Sequence, residues 1–254
     1  MKILVTGGTG TLGSSFLKQS VKQNLDVRIA SRHQPQTFTA EWTELDLESG
    51  RGLQNTISDV DVVLHAATSP LKNSRAVDVE GTRRLIKACK DYEIKHLIFP
   101  SIVGIESMPM AYYQSKLEAE RLIKVSGLPY TILRATQFHS FIDQLFRALT
   151  KFPLSVLPAP LRCQSVDVDE VASFLVKVCQ SPPQGHVDDF GGPEILTFKE
   201  MYAIWKQYRQ PKSLLLPVSY VPNSLFKAIK DGKNTNGEQK RGMVTWEQWV
   251  KESC

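Results

Sequence analysis

The chain has 254 residues, 42% of them hydrophobic and 22% charged, with 15 Gly and 14 Pro. At roughly 100 to 200 residues per domain this is one large domain or a main domain with a small appendage, able to bury about 70 to 75% of its unfolded surface without metal or disulfide staples, which excludes disordered, collagen-like and miniprotein scaffolds. Lys and Arg outnumber Asp and Glu by 31 to 26, a net charge of +5, but no run of five or six like charges suggests a nucleic-acid tail.

Through the first 135 residues, apolar runs of strand length alternate with helix-period segments. Lys2 to Thr6 reads as a strand, Thr11 to Gln23 as a helix and Asp26 to Ser31 as a second strand, with a third around Trp42 to Leu45. Val60 to Ala67 is the fourth, followed by one long helix from Ser74 to Tyr92, a strand from His96 to Ser101, a helix from Ala111 to Val125 and a strand from Tyr130 to Arg134. Continuous Val/Ile/Leu runs mark strands buried on both faces, and helices between them imply parallel crossovers, so the expected fold is a doubly wound α/β parallel sheet.

After Phe138 the alternation stops. Helical patterns at Ser140 to Leu149, Asp169 to Cys179, Phe198 to Tyr208, Ser224 to Lys230 and Trp246 to Glu252 are joined by Pro-rich stretches such as Pro153 to Pro160. The expected organisation is a doubly wound core over residues 1–138 and a smaller, partly helical region over 139–254 that leans on the sheet and shapes a cleft. Asp167 and Asp169 precede a helical pattern and read as N-capping residues, Trp205, Trp246 and Trp249 as packing residues, and Thr245 as the cap of an amphipathic closing helix.

Cys89, Cys163, Cys179 and Cys254 are widely spaced, without a C-x-x-C or a Cys/His cluster, so reduced thiols are expected and neither zinc nor disulfides. The N-terminus reaches Gly7 after three apolar residues, too few for a signal peptide, and no apolar stretch approaches the ~18 residues of a membrane span. A soluble cytoplasmic protein is the expectation.

After the first strand the chain reads Thr6-Gly7-Gly8-Thr9-Gly10-Thr11-Leu12-Gly13. Glycines at these spacings let the chain turn sharply off the strand, let backbone amides approach a pyrophosphate and let helix and strand pack closely. The helix N-terminus adds free N–H donors and a partial positive charge facing the phosphates. At the tip of the second strand, where a carboxylate would hold a ribose 2′-hydroxyl, the chain has Ser31 and Arg32. A guanidinium there suits a 2′-phosphate, so NADP(H) is favoured over NAD(H). Asp46 and Leu47, after the third strand, are placed to lie beside an adenine ring, and Ala66 and Ala67, after His65, offer small side chains where backbone nears cofactor.

Tyr112 and Lys116 stand at i and i+4, on one helix face, just after the strand that ends at Ser101. A phenol has a pKa of about 10, and a neighbouring ammonium favours its ionised form. Such a pair moves a proton to or from a hydroxyl while a nicotinamide moves the hydride. Ser101, at the carboxyl end of its strand, is placed to polarise a carbonyl oxygen.

These residues resemble the short-chain dehydrogenase/reductase superfamily, in its atypical NmrA-like, NAD(P)-binding branch. The match covers roughly residues 1–140: Thr6 to Gly13, His65 to Ala67, Val79-Glu-Gly-Thr82, Pro100 to Gly104, Tyr112-x-x-Ser-Lys116 and Gly127 to Arg134, with Asp167 to Ala172 and Gly191 to Pro193 echoing the later half. The resemblance implies a Rossmann core, NADP binding through Gly7, Gly10, Gly13 and Arg32, and a Ser101, Tyr112, Lys116 active site in which Lys116 also holds the nicotinamide ribose. Relatives often carry Arg-Pro after the sixth strand, whereas this chain has Arg134-Ala135, followed by Gln137, Phe138 and His139 near the expected pocket wall.

The expected function is therefore an NADP(H)-dependent oxidoreductase acting on a carbonyl or hydroxyl of a small organic molecule, a monomer or homodimer with no nucleic-acid, membrane or metal partner. Two alternatives stay open: a dinucleotide-binding regulator without turnover, and an enzyme of the nucleotide-sugar epimerase type.

Overall fold

The computed structural model describes residues 1–35 and 40–253. Two compact units are present, one made of Met1–Ser101, Ala111–Arg134 and Val171–Asp188, the other of Ile102–Met110, Ala135–Glu170 and Asp189–Cys254.

The first unit is built on a seven-stranded sheet. Its strands are β1 (Lys2–Thr6), β2 (Asp26–Ser31), β3 (Glu41–Glu44), β4 (Val62–His65), β5 (His96–Ile102), β6 (Tyr130–Ala135) and the two-residue β9 (Gly185–His186), in spatial order β3-β2-β1-β4-β5-β6-β9. The pairs β1–β2, β1–β4, β2–β3, β4–β5 and β6–β9 are parallel. This is the doubly wound Rossmann arrangement, whose order reverses between β1 and β4, where such sheets bind their ligands. Helices α1 (Thr11–Lys22), α2 (Leu53–Ile57), α3 (Thr82–Asp91), α4 (Ala111–Lys124) and most of α6 (Val168–Cys179) accompany it.

Ile3, Leu4, Val5, Ile29, Val63, Leu64, Leu97 and Ile98 are buried, as strands covered on both faces require. One apolar cluster joins the Leu4, Val63, Leu97 and Ile132 side chains to Ile57 of α2, Leu85 and Cys89 of α3, and Ala119 and Ile123 of α4. At roughly 1.5 to 3 kcal/mol for each large side chain removed from water, this layer drives the helices onto the sheet.

The expected single helix from Ser74 to Tyr92 is two pieces. Arg75–Gly81 winds with the wider i→i+5 spacing, and α-helical winding begins at Thr82. Two local facts accompany the wide turn: the Asp78 side chain bonds outside the helix, to Thr68 and Ser69, and Gly81 sits so close to Leu47 that a Cβ there would stand 3.0 Å from the Leu47 Cβ. Such wide turns recur at functional sites. Hydrophobic period alone does not separate a 3.6-residue turn from an occasional wider one.

The second unit holds α5 (His139–Leu149), β7 (Leu154–Pro158), β8 (Arg162–Cys163), β10 (Leu196–Thr197), α7 (Phe198–Arg209), β11 (Leu214–Val218), α8 (Ser224–Lys230) and α9 (Trp246–Glu252). The Pro-rich stretch read as a linker contains β7, which pairs in parallel with β11. Proline is tolerated there because both strands of a two-stranded ribbon are edges, where a missing N–H costs no ladder bond. The helix caps fall where the side chains dictate: Thr197 with Glu200 and Thr245 with Gln248 form reciprocal capping boxes, and Asn223 caps α8. Asp167 accepts the Asp169 and Glu170 amides at the start of α6, the capping role expected of it.

The core of this unit is aromatic. Phe146 meets Tyr202 edge to face with centroids 5.5 Å apart, and Trp246 stacks on Trp249 at 5.8 Å. The Trp205 indole N–H donates to Asp143 at 2.8 Å and that of Trp246 to the Met201 carbonyl at 2.9 Å, so the three tryptophans serve packing. Cys89, Cys163 and Cys179 are buried free thiols, and burial pushes each up to about 12; Cys254 lies outside the described residues.

Candidate functional site

The glycine turn lies at the carboxyl end of β1. Gly7 has φ +70°, and a Cβ on it would stand 2.6 Å from the Ala67 nitrogen, so only glycine lets the β1 and β4 ends approach this closely. The Gly10 amide donates to the Gly7 carbonyl at 2.9 Å and closes the turn. A Cβ on Gly13 would overlap the Gly7 carbonyl oxygen, so α1 can start against the strand only with glycine there. Gly10 caps α1 without a side-chain acceptor, which leaves the first-turn amides facing outward. Thr9, Gly10 and Thr11 are exposed, Leu12 is half-buried and Gly13 is buried.

Beneath the turn, His65 ties β1 to β4 and α3. Thr82 donates its hydroxyl hydrogen to the Asp78 carbonyl at 2.6 Å, so it meets His65 Nε2, 2.9 Å away, as an acceptor. Nε2 therefore carries the imidazole hydrogen, and Nδ1 accepts from the Thr6 hydroxyl at 2.8 Å. Burial, with a smaller contribution from Lys116, pushes the His65 pKa down to about 3. His65 is a neutral brace. The Ala66 amide bonds to the Thr6 carbonyl and the Ala67 amide to the Thr6 hydroxyl, which holds these small residues beside Gly7.

At the neighbouring tips, Ser31 is already engaged: its hydroxyl donates to the His33 carbonyl at 2.7 Å and accepts from Trp42 Nε1 at 3.1 Å. Arg32 is exposed. Asp46 accepts from the Ser49 hydroxyl at 2.6 Å and from the Glu48 amide at 3.0 Å, and its carboxyl is held below the ordinary range first by Ser49, against burial, then by the Glu48 and Ser49 amides and the Arg32 charge. The Leu47 side chain packs into the sheet core, and its carbonyl accepts from Arg84.

Helix α4 carries Tyr112, Lys116 and Glu120 at four-residue steps, one face by helical geometry. Lys116 is buried, its ammonium 2.8 Å from the Pro100 carbonyl and 3.9 Å above the Phe99 ring, which brings it to the end of β5 beside Ser101. Burial pulls the Lys116 pKa down to about 8 against the opposing pull of Asp78 and Glu120. Burial favours a raised Glu120 pKa, but Arg134, bonded to both carboxylate oxygens, holds it below normal. Ser101 Oγ is buried with no hydrogen-bond partner among the described residues, though near enough to Glu120 to help keep it ionised.

Tyr112 lies 3.2 Å from Thr68 Oγ1, which in turn is 2.5 Å from Asp78 Oδ1; the Ser69 amide donates to Asp78 Oδ2 at 3.1 Å. Burial pushes the Tyr112 phenol up to about 12, the Thr68 hydrogen bond opposes this and the Asp78 charge adds to it. This direction is opposite to the one expected from the Tyr-x-x-x-Lys spacing, chiefly because the phenol is buried, and further because the charge beside it is the Asp78 carboxylate while the Lys116 ammonium is bonded to Pro100.

Thr68 and Asp78 were not singled out in the sequence. Asp78 stands immediately before the Val79-Glu-Gly-Thr82 segment, the one signal that pointed there. His139 is buried, its Nε2 donating to the Val244 carbonyl at 3.0 Å and its Nδ1 accepting from Ser165, while Gln137 bonds to Asn234 and Val166; these are packing roles within the second unit. Among the described residues no group of three or more His, Cys, Asp or Glu is placed to hold a metal ion, and no helix is long and apolar enough to cross a membrane.

A parallel sheet that reverses order at a glycine turn, with a helix N-terminus free of side-chain caps beside it, defines a dinucleotide-binding Rossmann protein. The chain belongs to the NAD(P)H-binding family, whose model matches residues 7–182, in agreement with its resemblance to the NmrA-like branch of the short-chain dehydrogenase/reductases. It is 26% identical over 193 residues to the photosystem II assembly factor Ycf39 of Trieres chinensis, covering 72% of this chain and 60% of that protein. The chain spans 46 to 60% of the length of the first curated relatives it matches. Among solved structures, a nucleoside-diphosphate-sugar epimerase from Staphylococcus aureus superposes with a TM-score of 0.82 at 19% identity, covering 99% of this chain and 100% of that one. Triphenylmethane reductase of Citrobacter sp., complexed with NADP(H), superposes at 0.81 and 19% identity, with 100% of both chains covered. At such identities these structures establish the fold alone.

Proposed function

We propose that the chain is an NADP(H)-dependent oxidoreductase that transfers a hydride to or from a carbonyl or hydroxyl of a small organic substrate, with Ser101, Tyr112 and Lys116 at the reacting centre. The observation that carries this reading is that Tyr112 reaches Thr68, just past β4, while Lys116 reaches the Pro100 carbonyl of β5, next in the chain to the buried Ser101, in the same sheet as the glycine turn.

The residues fit a nicotinamide dinucleotide. Gly7 and Gly13 leave space that a Cβ would fill, the Thr11, Leu12 and Gly13 amides at the start of α1 suit a pyrophosphate, and exposed Arg32 offers a fork of donors to a 2′-phosphate. With the Ser31 hydroxyl engaged by His33 and Trp42, Arg32 carries the NADP preference. Asp46 and Ala66 to Ala67 border the adenine and nicotinamide ends, and Leu47 serves there through its place in the core.

When bound, the nicotinamide supplies or takes the hydride. Tyr112, a phenol across the neutral range, donates its proton to the substrate oxygen as negative charge grows on it. The Ser101 hydroxyl orients that oxygen, and the Lys116 ammonium, with N–H donors beyond the Pro100 bond, holds ribose hydroxyls and favours negative charge nearby. The reading takes a small molecule as sole partner, in the cytoplasm, as a monomer or homodimer.

The test is NADPH consumption across a panel of carbonyl and quinone substrates with wild type and Tyr112→Phe. A loss of at least ~100-fold in kcat with NADPH affinity retained is expected; unchanged turnover would overturn the assignment.

A second reading, a dinucleotide-binding assembly or regulatory factor without turnover, is favoured by curated relatives named as photosystem II assembly factors and by the engagement of Lys116 with Pro100. Tight NADPH binding with no turnover across the panel decides for it.

A further inference from the structure

In the second unit, β7 and β11 form a parallel ribbon in which Leu154 lies opposite Leu214, Val156 opposite Leu216 and Pro158 opposite Val218. Alternation sends these six side chains to one face. Leu157 and Leu215 point the other way and are buried in the cluster that holds Phe146 and Trp205. Both faces are therefore apolar, the pattern of parallel strands covered on each side. A face left to water carries polar residues at alternate positions, and these outward positions carry none. Yet Leu154, Val156, Leu214 and Leu216 are 58, 53, 58 and 44% exposed, and Phe152, two residues before β7, is 65% exposed. No described residue covers this face.

We propose that a second copy of this chain covers it: the ribbons of two copies stack face to face across a two-fold axis, strands running in opposite directions, roughly 10 Å apart. An apolar face of this kind is self-complementary, as a two-fold interface requires. At roughly 200 Å² for each large apolar side chain, the four exposed ones and Phe152 offer about 550 Å² per copy, so a pair buries about 1,100 Å², just past the ~1,000 Å² of a specific interface. Such a homodimer goes beyond the catalytic reading and does not depend on it.

Charge sets the direction of the stack. From Gln144 to Val166 and from Met201 to Lys230 the chain has no Asp or Glu. Arg147 and Arg209 are paired with Asp143. The exposed cations next to the face are Lys151 and Lys212, both just before the residues at which β7 and β11 begin. Reversing one ribbon carries the lysines of the two copies to opposite ends, about 17 Å apart over five residues, roughly two Debye lengths at physiological salt. Their repulsion is then screened, whereas a stack with strands in the same direction would gather all of them at one end. Two lysines are also few for an anionic lipid surface, which recruits clusters of about four to eight cations.

The experiment is sedimentation equilibrium of the full chain from about 1 to 200 μM. The wild-type mass is expected to rise from the 28.5 kDa of the monomer toward twice that value, with a dissociation constant in the micromolar range. Val156→Lys/Leu216→Lys puts four charges into the apolar contact and is expected to stay monomeric throughout. Val156→Thr/Leu216→Thr keeps side chains that suit a strand and is expected to weaken association at least tenfold. Val125→Lys, at an exposed apolar residue of the first unit, should change it less than twofold. Far-UV circular dichroism and urea midpoints separate loss of the contact from loss of the fold. A wild type that remains at 28.5 kDa at the highest concentration, or a lysine variant that associates as the wild type does, overturns the proposal. So does a monomeric wild type that floats with phosphatidylcholine vesicles containing about 30% phosphatidylserine, which would give the face to a lipid surface.

Discussion

Arg134, at the end of β6, grips both carboxylate oxygens of Glu120 on α4, Nε to Oε1 at 2.9 Å and Nη2 to Oε2 at 2.8 Å, with Glu120 fully buried. Glu120 lies two helical turns beyond Tyr112 and one beyond Lys116, so this clamp fixes the face that carries both. Glu120→Gln removes the buried charge that Arg134 and Lys124 both face. A destabilisation of about 3 to 5 kcal/mol is expected, read from urea unfolding. A loss under ~1 kcal/mol would mean that the pair does not anchor α4.

The glycine turn is tested by Gly13→Ala. The added methyl overlaps the Gly7 carbonyl, which is backbone and cannot swing aside, so α1 must shift away from β1. A loss of about 1 to 3 kcal/mol in stability and at least a tenfold weakening of NADPH binding are expected, measured by thermal melting and by fluorescence titration. Retention of wild-type affinity would remove this turn from the cofactor site.

Three buried histidines predict acid sensitivity. Burial lowers His65 to about 3, and His96 and His139 each to about 4, against an unfolded value near 6.5. A depressed folded pKa means that the unfolded chain binds protons first as the pH falls. Stability is therefore intact above about pH 6.5 and is lost between there and about pH 4, at roughly 4 kcal/mol per pH unit when all three contribute. Urea midpoints from pH 7.5 to 5 should fall on that side only, and His139→Gln should flatten the slope by about a third. A flat profile across the window would contradict the burial of these rings.

Cofactor choice is tested by Arg32→Ala. NADPH affinity should fall at least tenfold while NADH affinity changes by less than twofold, since only the former carries the 2′-phosphate. Equal affinity of the wild type for the two cofactors, from parallel titrations, would show that Arg32 is an ordinary surface cation.

Much of the fold was legible because its cause is local. Ile3-Leu4-Val5, Val62-Val63-Leu64 and Leu97-Ile98 are runs that only a doubly covered sheet buries, and the glycines at 7, 10 and 13 mark a turn whose chemistry is backbone chemistry. The caps at Asp167 and Thr245 were readable in the same way, since a cap acts on amides two or three residues ahead. The strand at Leu154–Pro158 was hidden because its partner, Leu214–Val218, lies some 60 residues further on and its prolines imitate a linker.

The sequence by itself determined the sheet, the dinucleotide turn and the one helix face shared by Tyr112 and Lys116, all consequences of period and short-range geometry. Only the tertiary structure decided what surrounds that face. Asp78, distant by 34 positions in the chain, reaches Tyr112 through Thr68, and Pro100 draws the Lys116 ammonium away. A side chain's pKa and the direction of its hydrogen depend on burial and on partners brought in by the folding of the whole chain, and no spacing along one helix encodes them.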